Sequence, residues 1–417
     1  MKLEQAEIRV LPLPAREGDR INAAARAERF PFGARITLAS LSENPYPILN
    51  ELRKLEPISW LPEVSMWYAT RRDDVEAILL DTQSFTLEDD ESLLNDIFGR
   101  TMISTDGAEH AKLRQPFHPP FLPKFVRSQM LEKIEARANA LLDIFIDDGK
   151  VDLVTQWADK LALEMVMGAL GLPIHDHGVV RGWFSEIGLA LANLKREPDI
   201  RARGRAAAQA FSDYARPHLK RLQLEPDGSV LGSLAGTNLS DEEILMSCRV
   251  IVFGGLETTA ALMTNTLWAL FQHPQQFAQV LKHPELITGA IEETLRWEPP
   301  VQSLTRRATR DVIVRGVPIS SGEIINCMIG AANRDPEKFE HPNLFDIHRK
   351  NAKEHLSFAI GKHFCLGAAL ARLEAEVGLR VLLERLPNLR PEPGRNDAPR
   401  GHEFRSPPEL WVRWETP

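Results

Sequence analysis

The sequence predicts a large, mainly α-helical protein with small β-sheets, folded as one domain over residues 1–417. Three observations carry this expectation. Long stretches read as helix and several stop at proline. Only a few short runs read as strand. Proline and glycine punctuate the whole chain and do not gather into one linker, and no internal repeat appears. With 43% apolar residues, the chain is long enough to bury a sizeable core.

The β-like runs are 67–70, 312–314 and 324–328, and among the helical segments are 123–147, 154–170 and 201–224. Three further helices matter more. The first runs from about 241 to 272. Ser240 is its N-cap, Glu243 completes an S-x-x-E capping box, and Pro274 ends it. At 1.5 Å per residue it spans roughly 45–50 Å. Its centre, 250–262, carries one charge, Glu257, so it should run buried through the protein. The second helix covers about 285–297, between Pro284 and Pro299. The third starts just after Cys365 and runs to about 386, before Pro387.

Charged residues make up 26%, and the net charge of -8 gives no reason to expect nucleic-acid binding. The three cysteines, Cys248, Cys327 and Cys365, lack metal-site spacing and do not suggest a disulfide framework. A reducing cytoplasm is the expected home. Residues 1–13 are charged at Lys2, Glu4, Glu7 and Arg9 and do not resemble a secretory signal. No uncharged apolar stretch of about 18 residues suggests a membrane anchor.

Within the long helix stands Gly254-Gly255-Leu256-Glu257-Thr258-Thr259. Each glycine costs about 1 kcal/mol relative to alanine inside a helix, so a distortion or the close approach of another group is expected. Thr258 can bond back to a carbonyl one turn earlier. Glu257 is a carboxylate in apolar surroundings and needs a partner or water. A glycine-mediated helix crossing with a salt-bridged glutamate explains the segment as well as a functional opening does.

The run His355-Leu356-Ser357-Phe358-Ala359-Ile360-Gly361-Lys362-His363-Phe364-Cys365-Leu366-Gly367 brings a cysteine to the start of a helix. Unpaired N–H groups there favour an anion, hence a thiolate. An inert buried cysteine, a nucleophile and a metal ligand all remain open on these residues alone. Cys248 and Cys327 lie in apolar runs and read as inert core residues.

Phe358-x-x-Gly361-x-x-x-Cys365-x-Gly367 resembles the heme-binding signature of the cytochrome P450 family. Glu293-Thr294-Leu295-Arg296 matches its ExxR motif. Gly254 to Thr258 resembles its oxygen-activation helix, and Ala332-Asn333-Arg334-Asp335-Pro336 is similar to a segment common in bacterial members. The four occur in the family's order, the likeness covers nearly the whole chain, and the soluble bacterial type is the nearest match. One departure stands out: many members carry glycine where this chain has Ala359.

The resemblance implies the cytochrome P450 fold, with heme b (iron protoporphyrin IX) between the long central helix and the cysteine-loop helix. Cys365 would ligate the iron, and Phe358, Gly361 and Gly367 would shape the loop around it. His110 and Arg114, four apart on one helical face, would bind the heme propionates together with Arg306, which adjoins Arg307, and His363. Glu293 and Arg296, with Arg349, would be structural. Thr258 and Glu257 would be the alcohol–acid pair that delivers protons for dioxygen activation.

Candidate pocket segments by resemblance are 92–102, 189–194, 250–254, 301–304 and 404–406, with Val301, Leu304, Phe404 and Gly254 as the individual candidates. Core packing explains each equally well. The implied reaction inserts one oxygen atom from O2 into a lipophilic small molecule of steroid, terpenoid or fatty-acid type. Electrons would come from a ferredoxin-type donor with its reductase, docked near Lys362, Arg372, Lys124 and Arg127. The acidic run Glu88-Asp89-Asp90-Glu91 reads as a solvated loop face. A peroxide-driven peroxygenase, a heme-binding sensor and a cysteine-nucleophile enzyme are the rival readings.

Overall fold

Successive side chains of a β-strand point to opposite faces, and the main sheet of this protein is covered on both. A computed structural model of the chain describes residues 8–10, 23–89, 92–193, 196–395 and 397–416. Of the features singled out above, most of the charged N-terminal segment, Asp90 and Glu91 of the acidic run, and residue Leu194 lie outside the described residues. The chain forms two compact units, one of residues up to 87 with 265–365 and 398–408, the other of 88–264 with 366–397 and the residues from 409 onward.

The first unit is built on a five-stranded sheet in the spatial order Ile58–Leu61, Met66–Ala69, Ile324–Met328, Ser303–Ala308, Phe85–Thr86. Met66–Ala69 and Ile324–Met328 pair in parallel, and the other pairs are antiparallel. Trp67, Ile325 and Cys327 pack into one core cluster with Ile78 and Leu79. Tyr68, Leu61 and Met328 pack into another with Leu41, Leu49 and Leu52. A sheet buried on both faces reads as continuous apolar runs, which is why 67–70 and 324–328 stood out. A second sheet joins Ile8–Val10, Val312–Val314 and Val317–Ile319.

The second unit is mostly helical. Helices His177–Leu191 and Pro198–Leu224 meet through a perpendicular Phe184–Phe211 ring pair at 5.1 Å. Pro123–Leu142 and Ala368–Arg385 are joined by Arg380 to Glu135 at 3.2 Å and Arg385 to Asn139 at 2.8 Å. A small sheet of Arg390–Pro391, Trp411–Arg413 and Lys150–Asp152 completes it.

The central helix covers Asp241–Gln272, as its caps predict. The backbone N–H of Ser240 donates to Glu243 Oε2 at 2.8 Å, and the N–H of Glu243 donates to Ser240 Oγ at 3.3 Å. By length and composition this helix could cross a membrane, although Arg249 and Glu257 keep it from holding an uncharged stretch of about 18 residues. Its most apolar 18-residue window is 67% buried within the protein, as a core helix requires.

Other boundaries moved for local reasons. The helix expected over 123–147 ends at Leu142, and Ile146–Asp148 is a separate 3-10 turn closed by left-handed Gly149. The segment 154–170 opens with a π-helical turn, Val154–Ala158, under an Asp152 side chain that accepts from the N–H groups of Val154 and Thr155. The helix placed at 201 begins at Pro198, and that placed at 285 begins at Ile287 after a 3-10 turn.

Candidate active site

The cysteine loop is a chain of short backbone turns. The N–H of Ala359 donates to Leu356 O at 2.8 Å, that of Phe364 to Gly361 O at 3.1 Å, and that of Cys365 to Phe358 O at 2.8 Å. Phe358, which opens the signature, and Cys365 are therefore hydrogen-bonded neighbours. The following helix starts at Ala368, with Gly367 as N-cap. Cys365 thus precedes the helix and does not open it, since Phe364 is extended and the Cys365 N–H is already spent on Phe358. Its side chain is partly exposed, whereas Cys248 and Cys327 are buried and their thiols are pushed up to about 12 by desolvation. Both sit in the core, as their apolar runs predict, and a raised thiol pKa disfavours the reactive thiolate.

Asn333 holds this loop in place. Its Oδ1 accepts from the N–H of Leu356 at 2.7 Å, and its Nδ2 donates to Ser357 Oγ at 2.8 Å and Leu295 O at 3.3 Å. It is fully buried, so each lost bond would strand a polar group. The sequence showed Asn333 only as part of a motif, because its partners lie far along the chain.

Glu293 and Arg296 stand on the helix Ile287–Trp297 and are both completely buried. Arg296 forks onto the carboxylate, Nε to Oε2 at 2.7 Å and Nη2 to Oε1 at 2.6 Å. Its remaining donors reach the carbonyls of Asn333, Pro342 and Leu344. Arg349 Nε and the N–H of Asp346 also donate to Glu293 Oε1, at 3.0 and 2.9 Å. The structure brings the three charged residues together as one satisfied cluster.

Arg306 and Arg307 differ by strand alternation. Arg306 is 5% exposed, with Nη1 on Thr305 O at 2.8 Å. Arg307 points the other way, with Nη1 on Gly322 O at 2.6 Å. His363 is half-buried in the 3-10 turn Gly361–His363. In the second unit, the helix Gly107–Arg114 carries buried His110 and, one turn on, half-buried Arg114.

The two central glycines do different things. A Cβ at Gly255 would fall within 2.8 Å of Val166, so glycine lets the helix Asp159–Leu170 approach closely. A Cβ at Gly254 would meet no heavy atom within 4 Å. Thr258 Oγ1 donates to Gly254 O at 2.5 Å, the expected bond to the preceding turn. Glu257 is about one-third exposed and lies 3.4 Å from Arg181 Nη1. Arg181 makes its better bonds to Asp159 Oδ2, at 3.0 and 2.9 Å, and a third to Ser185 Oγ. Burial raises the Glu257 pKa; Arg181 opposes this and Asp159 adds to it. Burial likewise raises Asp159 against Arg181. Arg181 is the residue that sequence reasoning missed here, being 76 positions from Glu257.

Among the pocket candidates, Val301 and Phe404 form an isolated antiparallel bridge, and Phe404 is 41% exposed. Leu304 is half-buried against the core cluster of the five-stranded sheet.

Together these features define a mainly helical protein with a buttressed, cysteine-bearing loop ahead of a long helix, and comparison with known proteins names the family. The Cytochrome P450 family model matches residues 231–409. Pulcherriminic acid synthase of Bacillus subtilis (strain 168) is 30% identical over 390 residues, covering 89% of this chain and 95% of that protein. The biotin biosynthesis cytochrome P450 of the same organism is 31% identical over 363 residues, 83% of this chain and 90% of that protein. The crystal structure of P450BioI in complex with hexadec-9Z-enoic acid ligated acyl carrier protein superposes with a TM-score of 0.84 at 30% identity, covering 90% of this chain and 100% of that one. CYP109E1 from Bacillus megaterium in complex with testosterone gives 0.83 at 29% identity, covering 91% and 100%. The chain belongs to the cytochrome P450 family. It is accordingly a P450 monooxygenase that binds heme b and uses O2 and a redox partner.

The residues fit that cofactor. The first unit offers a partly exposed cysteine and buried Arg306. In the second, a Cβ at Gly254 or Gly367 would meet no heavy atom within 4 Å, so a flat group can approach the backbone at either position. His110 and Arg114 add donors of the kind that carboxylates take.

Proposed function

We propose that this protein inserts one oxygen atom of O2 into a lipophilic small molecule, with Cys365 as the thiolate ligand of the heme iron. The observation that carries the reading is the Phe358–Cys365 backbone hydrogen bond, which closes the loop around a cysteine that, unlike Cys248 and Cys327, is not buried. Arg306, His363, His110 and Arg114 are the propionate contacts. Phe358, Gly361 and Gly367 shape the loop, and Glu293, Arg296 and Arg349 brace it. When bound, the heme supplies dioxygen activation, and thiolate ligation favours O–O cleavage. Residues 1–417 serve as one catalytic domain, since the family match draws on both compact units.

Thr258 acts as an acceptor. Its hydroxyl proton is directed at Gly254 O, so its lone pairs are what it offers to a water or protonated group beside it. Glu257 supplies the proton. Its partial exposure connects it to solvent, and its raised pKa brings its titration closer to neutral pH, where a proton relay must work. Val301, Leu304, Phe404 and Gly254 contact the substrate. The relatives' names point to fatty acyl and steroid chemistry, which suits an apolar pocket of this kind.

A ferredoxin-type donor with its reductase supplies the electrons, in the cytoplasm. Exposed Lys124 and Arg127 on the helix Pro123–Leu142 offer charge to an acidic partner. The test is NAD(P)H-driven turnover with a surrogate ferredoxin system. Thr258→Ala is expected to raise the hydrogen peroxide released per NAD(P)H consumed, while Cys365→Ser abolishes the thiolate-type spectrum of the reduced, CO-bound protein. Unchanged coupling in the first variant would remove Thr258 from the relay. An unchanged spectrum in the second would remove Cys365 as ligand.

A further inference from the structure

The turn after the Glu293 helix and the hairpin at 400–406 are tied together by a buried polar cluster that the reaction does not use. Glu298 Oε1 accepts from Tyr46 OH at 2.9 Å and from Arg405 Nε at 2.7 Å. Arg405 spends its other donors on the carbonyls of Ser42 at 2.7 Å, Gly401 at 3.3 Å and Glu43 at 3.2 Å. Gln302 Nε2 donates to Tyr46 OH at 3.2 Å and Pro299 O at 2.8 Å. Asn265 Nδ2 donates to the carbonyls of Glu298 and Arg405, at 3.1 and 3.0 Å. The guanidinium of Arg334 lies 3.4 Å from the centre of the Tyr46 ring. Glu298 and Arg405 are 2% and 3% exposed.

What the cluster surrounds is the Val301–Phe404 bridge. The N–H of Gln302 donates to Glu403 O at 2.8 Å, and the N–H of Arg405 donates to Pro300 O at 2.8 Å. These bonds flank the bridge on both sides, which makes Val301 and Phe404 a non-hydrogen-bonded pair. That arrangement brings facing side chains closest, with Cα atoms about 4.5 Å apart. The hairpin itself turns on Gly401 at φ +120°, where a Cβ would lie 1.8 Å from Phe404 O. Every segment that carries the bridge is therefore pinned from behind by a side chain of the cluster.

Buried ion pairs contribute little net stability, and apolar packing of the same volume often does as well. Apolar packing has no direction, however. Arg405 joins four acceptors from three separate segments in one rigid fork, which fixes their relative placement. We propose that Glu298, Arg405 and Tyr46 are positioning residues for substrate selection, setting the Val301–Phe404 pair and through it the ligand shape that the enzyme accepts. The inference rests on the reading that Val301 and Phe404 contact substrate.

The experiment uses the heme-loaded protein and a ladder of straight-chain fatty acids and steroids, read by the spin-state shift of the Soret band. Arg405→Lys keeps the charge beside Glu298 and removes the fork. It is expected to change the affinity ratio between the best fatty acid and the best steroid by roughly tenfold, the scale set by a pocket misfit of about one methylene. Tyr46→Phe, which removes a single hydroxyl and keeps the ring under Arg334, shifts the ratio in the same direction by less. It carries the test alone if Arg405→Lys does not fold. Both variants keep wild-type imidazole affinity and the wild-type CO-bound band, which a general loss of structure would not allow. An unchanged ratio overturns the proposal. Phe404→Ala separates the two layers. If it too leaves the ladder unchanged, the pocket reading fails along with the inference. If it alters the ladder while the cluster variants do not, the positioning role fails alone.

Discussion

Glu293 and Glu257 each meet an arginine, and they are held in opposite ways. Glu293 is fully buried and accepts four hydrogen bonds, from both sides of the Arg296 fork, from Arg349 and from the N–H of Asp346. Glu257 is about one-third exposed, and its one ion-pair contact among the described residues, at 3.4 Å, is to an arginine that bonds Asp159 better. The first takes three donors on Oε1 and one on Oε2 and cannot move without breaking a network. The second is loosely restrained, desolvated and open to water on one side. The two carboxylates differ in how completely they are satisfied, not in the identity of their partner, and that difference suits the brace and the proton relay proposed for them.

The largest effect should come from breaking the brace. Glu293→Ala leaves the Arg296 charge buried without its partner, which costs on the order of 3–5 kcal/mol. That is a large part of the 5–15 kcal/mol by which domains are usually stable. Arg296 also holds the carbonyl of Asn333, and Asn333 holds the cysteine loop, so the damage should reach Cys365. The expected outcome is little or no heme-loaded protein, measured as the ratio of Soret to protein absorbance. A variant that loads heme normally would show that the cluster does not brace the loop.

The matching change in the relay should leave the fold intact. Glu257→Gln keeps the shape, and Arg181 retains Asp159. Turnover should fall by about a hundredfold, the lower range for a positioned proton donor, with ligand affinity and heme content unchanged. Stability should move the other way. Burial raises the folded-state pKa of Glu257 above that of an unfolded glutamate. Its contribution to stability is therefore complete below the ordinary glutamate pKa and is lost as pH rises through the raised value. Glutamine does not titrate, so the melting temperature of the variant relative to wild type should climb from acid to neutral pH. A difference that stays flat with pH would mean that Glu257 is not desolvated.

How much of this was legible in the sequence follows the same division. Glu293 and Arg296 are three apart on one helix, so their pairing could be read from spacing, and the central helix carried its own capping box and terminal proline. Arg349 entered through family resemblance alone. Most partners of Asn333, Glu298 and Arg405 could not be read, because burial chooses them across separations as large as 363 residues. Strands such as Phe85–Thr86 and Arg390–Pro391 are two residues long and leave no period to detect. Arg306 and Arg307 face opposite sides of their strand, an alternation that a neighbouring pair of like residues conceals.

The smallest effect concerns the braced side, at the one position where the loop departs from the family pattern. Ala359 has φ +58°, in the left-handed region, and its N–H is bound to Leu356 O. That conformation costs an L-residue with a Cβ roughly 1–2 kcal/mol, while glycine adopts it freely. Glycine also gains freedom in the unfolded chain, which returns about 0.4–1 kcal/mol of the benefit. Ala359→Gly should therefore stabilise the protein by about 0.5–1 kcal/mol, seen as a rise in the denaturation midpoint at constant slope. A fall would mean that the unfolded-state term wins and that alanine helps to hold the loop in shape. In that case heme should leave the glycine variant faster than wild type, and the rate of transfer to an apo-globin acceptor would show it. If the midpoint rises and the loss rate stays the same, the loop is held by Asn333 and the Phe358–Cys365 hydrogen bond, and the left-handed alanine is strain that those contacts overcome.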